Sequence, residues 1–261
     1  MTEWTWDPDD FAALWFSPGR DRFPFPLSYT SRFAWLEDVD QHNAAVRARY
    51  DIDEHELIEL AFHTLTHARL RVEILGDSDA IAKGTTKEYR VIGARTAHHA
   101  VLLTQTATTD GVAERIRCRL LRPEQLPGRL SWIVPECPAG RSAADIFHLE
   151  DLTARTRRSD TWTTTPSQRF DQFINRPRHG SAWARLRAEP FTDGQEPWFS
   201  ARWLDVKDDG RYLIQRNREH LELRPIGADG LTTLFTNWID RALTRIQEQA
   251  EPAVPAPWAG L

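Results

Sequence analysis

Apolar residues recur along this chain with two periods, and the switches between them divide it into elements. A first helix is predicted where Asp7 caps, Pro8 suits the first position and Phe11, Leu14 and Trp15 follow at helical spacing. A turn-rich stretch with three prolines, 17–29, comes next. Trp35, Val39, His42, Val46 and Tyr50 fall on one face at steps of three or four, which predicts a helix over 31–50. Asp53 with Glu56 reads as the capping box of a third helix carrying Leu57, Ile58, Ala61 and Leu65.

From Arg69 the period becomes two: Leu70, Val72 and Ile74 alternate with Arg71 and Glu73. The rhythm returns at Tyr89 and Val91, over 101–104, and in Ile116, Cys118 and Leu120 set against Arg115, Arg117 and Arg119. Polar turns such as Thr109-Asp110-Gly111 between such runs predict antiparallel hairpins with one buried and one Arg-rich face. Leu126, Leu130 and Ile133 then suggest a helix, and the Pro-, Thr-, Ser- and Arg-rich stretch 135–165 reads as connector. A capped helix starts at Thr165-Pro166 with Phe170, Phe173 and Ile174. Strands follow near 182–190, 198–206, 211–216 and 220–224, with turns at Gly194 and Asp208-Asp209-Gly210. The last helix, 228–249, aligns Leu231, Phe235, Trp238, Ala242 and Ile246, and the Pro/Ala-rich tail 251–261 is expected to be flexible.

The two stretches echo one another. Leu121-Arg122-Pro123 with Leu126, Leu130 and Trp132-Ile133 parallels Leu223-Arg224-Pro225 with Leu231, Leu234 and Trp238-Ile239. The expectation is an α+β fold with a central antiparallel sheet built from two pseudo-twofold halves, about 1–135 and 165–250, joined by a connector at 136–164, with a helical layer from each half packed on it.

Composition narrows the function. An apolar fraction of 41% and a charged fraction of 27% over 261 residues describe a folded chain, and a net charge of −5 lacks the basic excess of a nucleic-acid binder. Eleven tryptophans point to binding surfaces as well as core. Cys118 and Cys137, far apart and outside any CxxC spacing, offer neither a disulfide framework nor a thiolate metal site and fit a reducing compartment. The acidic start and the lack of a long apolar run predict a cytoplasmic protein without membrane insertion.

Motifs for chemistry fail on inspection. His55-Glu56-Leu57-Ile58-Glu59 begins like a zincin helix but carries Glu59 where the second His belongs. His63 and His67 stand four apart without an evident third ligand, so a metal-assisted hydrolase built on His55, Glu59, His63 or His67 is only the alternative reading. Gly76-Asp77-Ser78-Asp79-Ala80 resembles a nucleophile elbow but leads into strand, and reads as a polar hairpin turn. The Arg rows at 115, 117, 119, 185 and 187 are expected to pair with cross-strand acids among Glu73, Glu88, Glu114 and Glu222.

One further pattern has a family behind it. Arg169-Phe170, Gly180, the Arg185 to Arg187 strand, Gly210-Arg211-Tyr212-Leu213 and Leu223-Arg224-Pro225 with Leu231 resemble the EspG family, the secretion-associated chaperones of actinobacterial type VII (ESX) secretion. The motifs cover roughly the C-terminal third. The resemblance implies a cytosolic, non-catalytic chaperone, without cofactor or metal, that shields the hydrophobic tip of a helical PE/PPE-like secretion substrate before export. Trp198, Phe199, Trp203, Tyr212, Phe235 and Trp238 are the expected partner-binding residues. A self-associating scaffold is a further alternative, and monomer or homodimer stays open.

Overall fold

A computed structural model of the chain describes residues 2–82, 84–153, 164–192 and 194–250. The first half contributes β1 (Thr2–Trp6), α1 (Pro8–Trp15), α2 (Leu36–Arg47) and α3 (Ile52–Thr66), the meander β2 (Leu70–Ala82), β3 (Thr85–Arg95), β4 (Ala100–Thr108) and β5 (Ala113–Leu121), and then α4 (Leu126–Ile133). The second contributes β6 (Asp145–His148), α5 (Leu149–Thr153), α6 (Pro166–Ile174), β7 (Arg178–Ala188), β8 (Phe199–Val206), β9 (Gly210–Arg216), β10 (His220–Pro225) and α7 (Ala228–Ala250).

All ten strands lie in one antiparallel sheet, ordered β1-β5-β4-β3-β2-β7-β8-β9-β10-β6. Matching β1 with β6, and β2 to β5 with β7 to β10, makes the order read alike from either end, so the pseudo-dyad passes between β2 and β7. Their register explains the alternation seen in the sequence. Leu70, Val72 and Ile74 lie opposite Ala188, Leu186 and Ala184 on one face, and Arg71, Glu73 and Leu75 lie opposite Arg187, Arg185 and Trp183 on the other. Gly76 belongs to this ladder, so the polar run from Gly76 to Ala80 is strand and not the expected turn. A Cβ at Gly76 would stand 2.3 Å from Ala182 Cβ and 2.6 Å from Ser181 O, which is why the residue must be Gly.

The front face is covered by α4 and α7, one from each half. Leu126 and Leu130 with Leu231, Phe235, Trp238 and Ile239 share a core with Leu70, Val72, Val91, Leu186 and Trp203. Gly93 lets α4 sit close, since a Cβ there would reach 2.9 Å from Leu126 and Leu130. On the back face the halves are covered separately. α1 and α3 bury Phe11, Trp15, Phe62 and Leu65 against Trp4, Trp6, Ile92, Leu103 and Cys118, while α6 brings Phe170, Phe173 and Ile174 onto Phe147, Leu204, Tyr212 and Leu223. Each large side chain so buried contributes roughly 1.5–3 kcal/mol.

Several local expectations move. Asp51, two residues before Asp53, caps α3 by accepting from Glu54 N at 2.8 Å. Asp7 makes no side-chain cap and accepts from Arg115 at 2.9 Å instead. α2 is shorter than predicted and buries only Val46, because it packs chiefly on α1. β1 was not expected, and its Trp4 and Trp6 lie opposite Cys118 and Ile116. The stretch read as connector holds β6, the edge strand paired with β10, and α5. The expected flexible tail 251–261 lies outside the described residues.

The Gly-Arg-Tyr-Leu run at the start of β9 is a structural clamp. Arg211, 2% exposed, meets Asp205 through Nε and Nη2 at 2.6 and 2.7 Å, and Nη2 also donates to Pro135 O at 2.7 Å. Tyr212 donates its hydroxyl to Asp209 at 2.8 Å and accepts from Ser142 N at 2.8 Å. A Cβ at Gly210, with φ of 153°, would collide with Ala139 O at 2.6 Å. The motif therefore fastens segment 135–142 to the second half.

Candidate functional site

Tryptophan use already separates core from surface. Trp4, Trp6, Trp15, Trp203 and Trp238 are buried, and three of them spend the indole N–H internally: Trp6 on Tyr50 Oη at 2.7 Å, Trp15 on Arg22 O at 2.8 Å and Trp4 on Glu54 at 3.2 Å. The Trp excess is therefore divided between core and surface, since Trp35 and Trp132 are exposed. Of the six residues expected to hold a partner, Trp203, Tyr212, Phe235 and Trp238 are at most 4% exposed. Sheet alternation sends Trp203 to the front core and Tyr212 to the back core, and the inner stripe of α7 carries Phe235 and Trp238 inward. None of the four offers a free surface.

Trp198 and Phe199 are placed differently. They stand where β8 begins, beneath the outer half of α7, and line a groove of about 1040 Å³ with Gln215, Arg216, Arg241 and Arg245. Phe199 stacks on Trp238 at 5.8 Å and 17°, so the groove floor is an extension of the core. Arg241 lies 5.0 Å above Phe199 and Arg245 4.2 Å above Trp198, as cationic lids on an aromatic floor. α7 forms one wall, and the ends of β8, β9 and β10 form the base.

The pseudo-dyad repeats this groove in the first half. There Tyr89, Val91, Thr104, Thr106, Arg117 and Ile133 line a front-face cavity of about 600 Å³ from the equivalent positions of β3, β4, β5 and α4. α4 has 8 residues where α7 has 23, so the first groove lacks the long wall that flanks the second. Glu114 closes its rim. Lys87 and Thr106 both donate to Glu114, at 2.5 Å each, and these bonds hold its carboxyl below the usual carboxylate range. Tyr89, at the base, is pushed above the normal phenol value by burial, so its hydroxyl stays protonated. The first groove was invisible to sequence reasoning. Its only signal was a row of Thr at alternate positions of β4, where a solvated face would carry charge.

The suspected metal residues do not converge. His63 and His67 stack ring on ring at 4.0 Å on an exposed face of α3, and Glu59 is held by Arg20 at 2.9 Å. Among the described residues no three His, Cys, Asp or Glu side chains cluster as a metal site would need. No helix among them is long and apolar enough to cross a membrane.

Comparison with known proteins agrees with this geometry. The model of the EspG family matches residues 7–233. No curated protein matches. Among solved structures, the chain is similar to the type VII secretion system chaperone EspG5 of Mycobacterium tuberculosis, in complex with a PE25-PPE41 dimer. The TM-score is 0.57 at 13% identity, covering 92% of this chain and 96% of that one. At that identity the likeness shows the fold.

Proposed function

Since the chain belongs to the EspG family, we propose that it is a type VII secretion chaperone that binds a helical PE/PPE-like substrate in the cytoplasm and holds its apolar tip in the groove beneath α7. The observation that carries this reading is the floor of Trp198 and Phe199, continuous with the core yet left open at the end of α7 and lidded by Arg241 and Arg245. Aromatic residues with Arg at their rim are the side chains that dominate binding energies at interfaces. The groove's size suits the end of a helical hairpin, and reversible release follows because only part of the floor is apolar. EspG5, which shares the fold, is seen in complex with a PE25-PPE41 dimer, and that supports a client of the same helical kind here. The role needs no bond-making chemistry, consistent with aromatic and Arg linings in place of converging acid–base pairs.

The test is co-purification with a PE/PPE-like pair co-expressed with this protein, followed by titration of Trp198→Ala, Phe199→Ala and the double variant. Both residues are partly buried at the groove edge, so the variants should fold. The double variant should lose at least about tenfold in affinity. An unchanged affinity would remove the client from this groove.

A further inference from the structure

The back face of the sheet carries a second surface. Because α1 and α3 cover only the first half and α6 only the second, the back of β2, β7 and β8 lies between the helices under loop side chains alone: Phe25 stacks on Trp183 at 6.2 Å and Phe191 lies 4.0 Å from the Arg71 guanidinium. Two contiguous hollows of about 370 and 280 Å³, both bordered by Trp183 and Arg202, occupy the gap.

The charge of this trough is unusual for a chain with net charge −5. In the first half the arginine row is paired, although with acids other than the expected ones: Arg115 meets Asp7, and Arg117 and Arg119 meet Glu3. The arginines of β7 are placed differently. Arg187 lies directly opposite Arg71 across β2 and β7, a like-charge juxtaposition that cross-strand pairing normally avoids. Arg185 rests over Trp183 at 4.3 Å and lies opposite Glu73, a buried carboxylate that it shares with Arg71 and Arg187. Arg202 and Arg216 are exposed and make no ion pair among the described residues. This excess of guanidiniums over carboxylates around a half-buried Trp183, with Phe25, Leu75 and Ile214 beside it, complements a ligand that is both acidic and partly apolar.

The sheet also decides the ligand's backbone. β2, β7 and β8 are each hydrogen-bonded on both sides, so an entering segment finds no strand edge to pair with. It must satisfy its own peptide groups, as a helix does. At about 10 Å across, a helix spans two to three strands at about 4.8 Å spacing.

We infer that the trough over β2, β7 and β8 is a docking site for an acidic amphipathic helix of a partner protein, with carboxylates on Arg185 and Arg202 and an apolar residue against Phe25 and Trp183. The trough lies on the opposite face of the sheet from the α7 groove and meets it only at Ser200 and Arg216, so Arg185 and Arg202 stay accessible while a client is held, which suits a partner that acts on the loaded chaperone.

The probe is a fluorescein-labelled helical peptide of Glu, Ala and Leu, about 20 residues long, titrated into the full chain by fluorescence anisotropy at two salt concentrations. Saturable binding that weakens with salt and falls at least about tenfold in Arg185→Glu/Arg202→Glu is expected. These side chains are exposed, so circular dichroism and Tm should stay at wild-type values. Trp198→Ala/Phe199→Ala should bind the peptide normally, which separates this site from the client groove. Equal affinity in the Arg185→Glu/Arg202→Glu variant, or equal binding of the Lys-for-Glu peptide, overturns the inference. So does stronger binding of inorganic polyphosphate than of peptide at matched charge, which assigns the trough to phosphate polyanions. A concentration-dependent dimer abolished by the same two substitutions also overturns it, by making the occupant a second copy.

Discussion

Replacing Asp205 by Asn tests whether the Gly-Arg-Tyr-Leu run is structural. The substitution keeps the volume of the side chain and removes its charge. Arg211 is then left 2% exposed with no counter-ion, although its bond to Pro135 O survives. In the wild type the pair is bidentate at 2.6 and 2.7 Å, the geometry in which charge-assisted bonds are strongest. Removing one member of a buried pair costs about 3–5 kcal/mol, mostly because the remaining charge stays desolvated. Asn can still accept one bond from the guanidinium, so we expect the lower end, about 3 kcal/mol, or roughly a hundredfold in the folding constant. Urea unfolding followed by tryptophan fluorescence reads this as a lower midpoint with unchanged slope. The double variant Asp205→Leu/Arg211→Met should lose less than Asp205→Asn, since no buried charge remains. Client affinity at a temperature well below the transition should match the wild type. A loss below about 1 kcal/mol, or a double variant worse than the single, would refute the clamp.

Gly76→Ala should yield little folded protein, because its Cβ has backbone 2.6 Å away at the centre of the sheet, whereas Gly128→Ala on α4, with open space around it, should raise stability by about 0.5–1 kcal/mol in the same assay. Glu114 has a lowered pKa, so its stabilising effect is present above the ordinary value of 4.5 and lost as pH falls through the lower, folded value. The Tm gap between wild type and Glu114→Gln should therefore be largest near neutral pH and close in acid. Burial, with the nearby Asp205 carboxylate, pushes the Cys137 thiol up to about 11, and Cys118 is fully buried. A disulfide reagent at pH 8 should consequently react slowly with native protein and rapidly in urea; fast native labelling would contradict the placement of Cys137.

What the sequence could show follows the range of the interactions involved. The meanders were legible because a period of two is a local property, and Thr165-Pro166 announced the start of α6, which the structure closes with a capping box between Thr165 and Gln168, with bonds of 3.2 and 2.9 Å. β6 was missed because four residues at the sheet's edge are too few for a period, and β1 because Trp4 and Trp6 read as isolated aromatics until β5 lies beside them. The six residues expected to bind a partner illustrate a deeper limit. Alternation indicates which residues share a face, but not which face another layer covers, so it put Phe199 and Trp203 together without showing that only the first reaches the groove. The same limit applied with opposite sign to the arginines. Arg117 and Arg185 both stand in strands of alternating Arg, and only the assembled sheet brings Glu3 to the first and Arg202 and Arg216 near the second. The two rows are not equivalent under the pseudo-dyad, which matches β5 with β10 and β7 with β2, and they lie on opposite faces of the sheet. Two strands with the same alternation therefore meet different surroundings, because β1 brings Glu3 to the row of β5 while the helices of the second half stop short of β7 and β8. The functional asymmetry of this chain lies in what its layers leave uncovered: an aromatic floor beneath α7 on the front, and an excess of guanidiniums beside the dyad on the back.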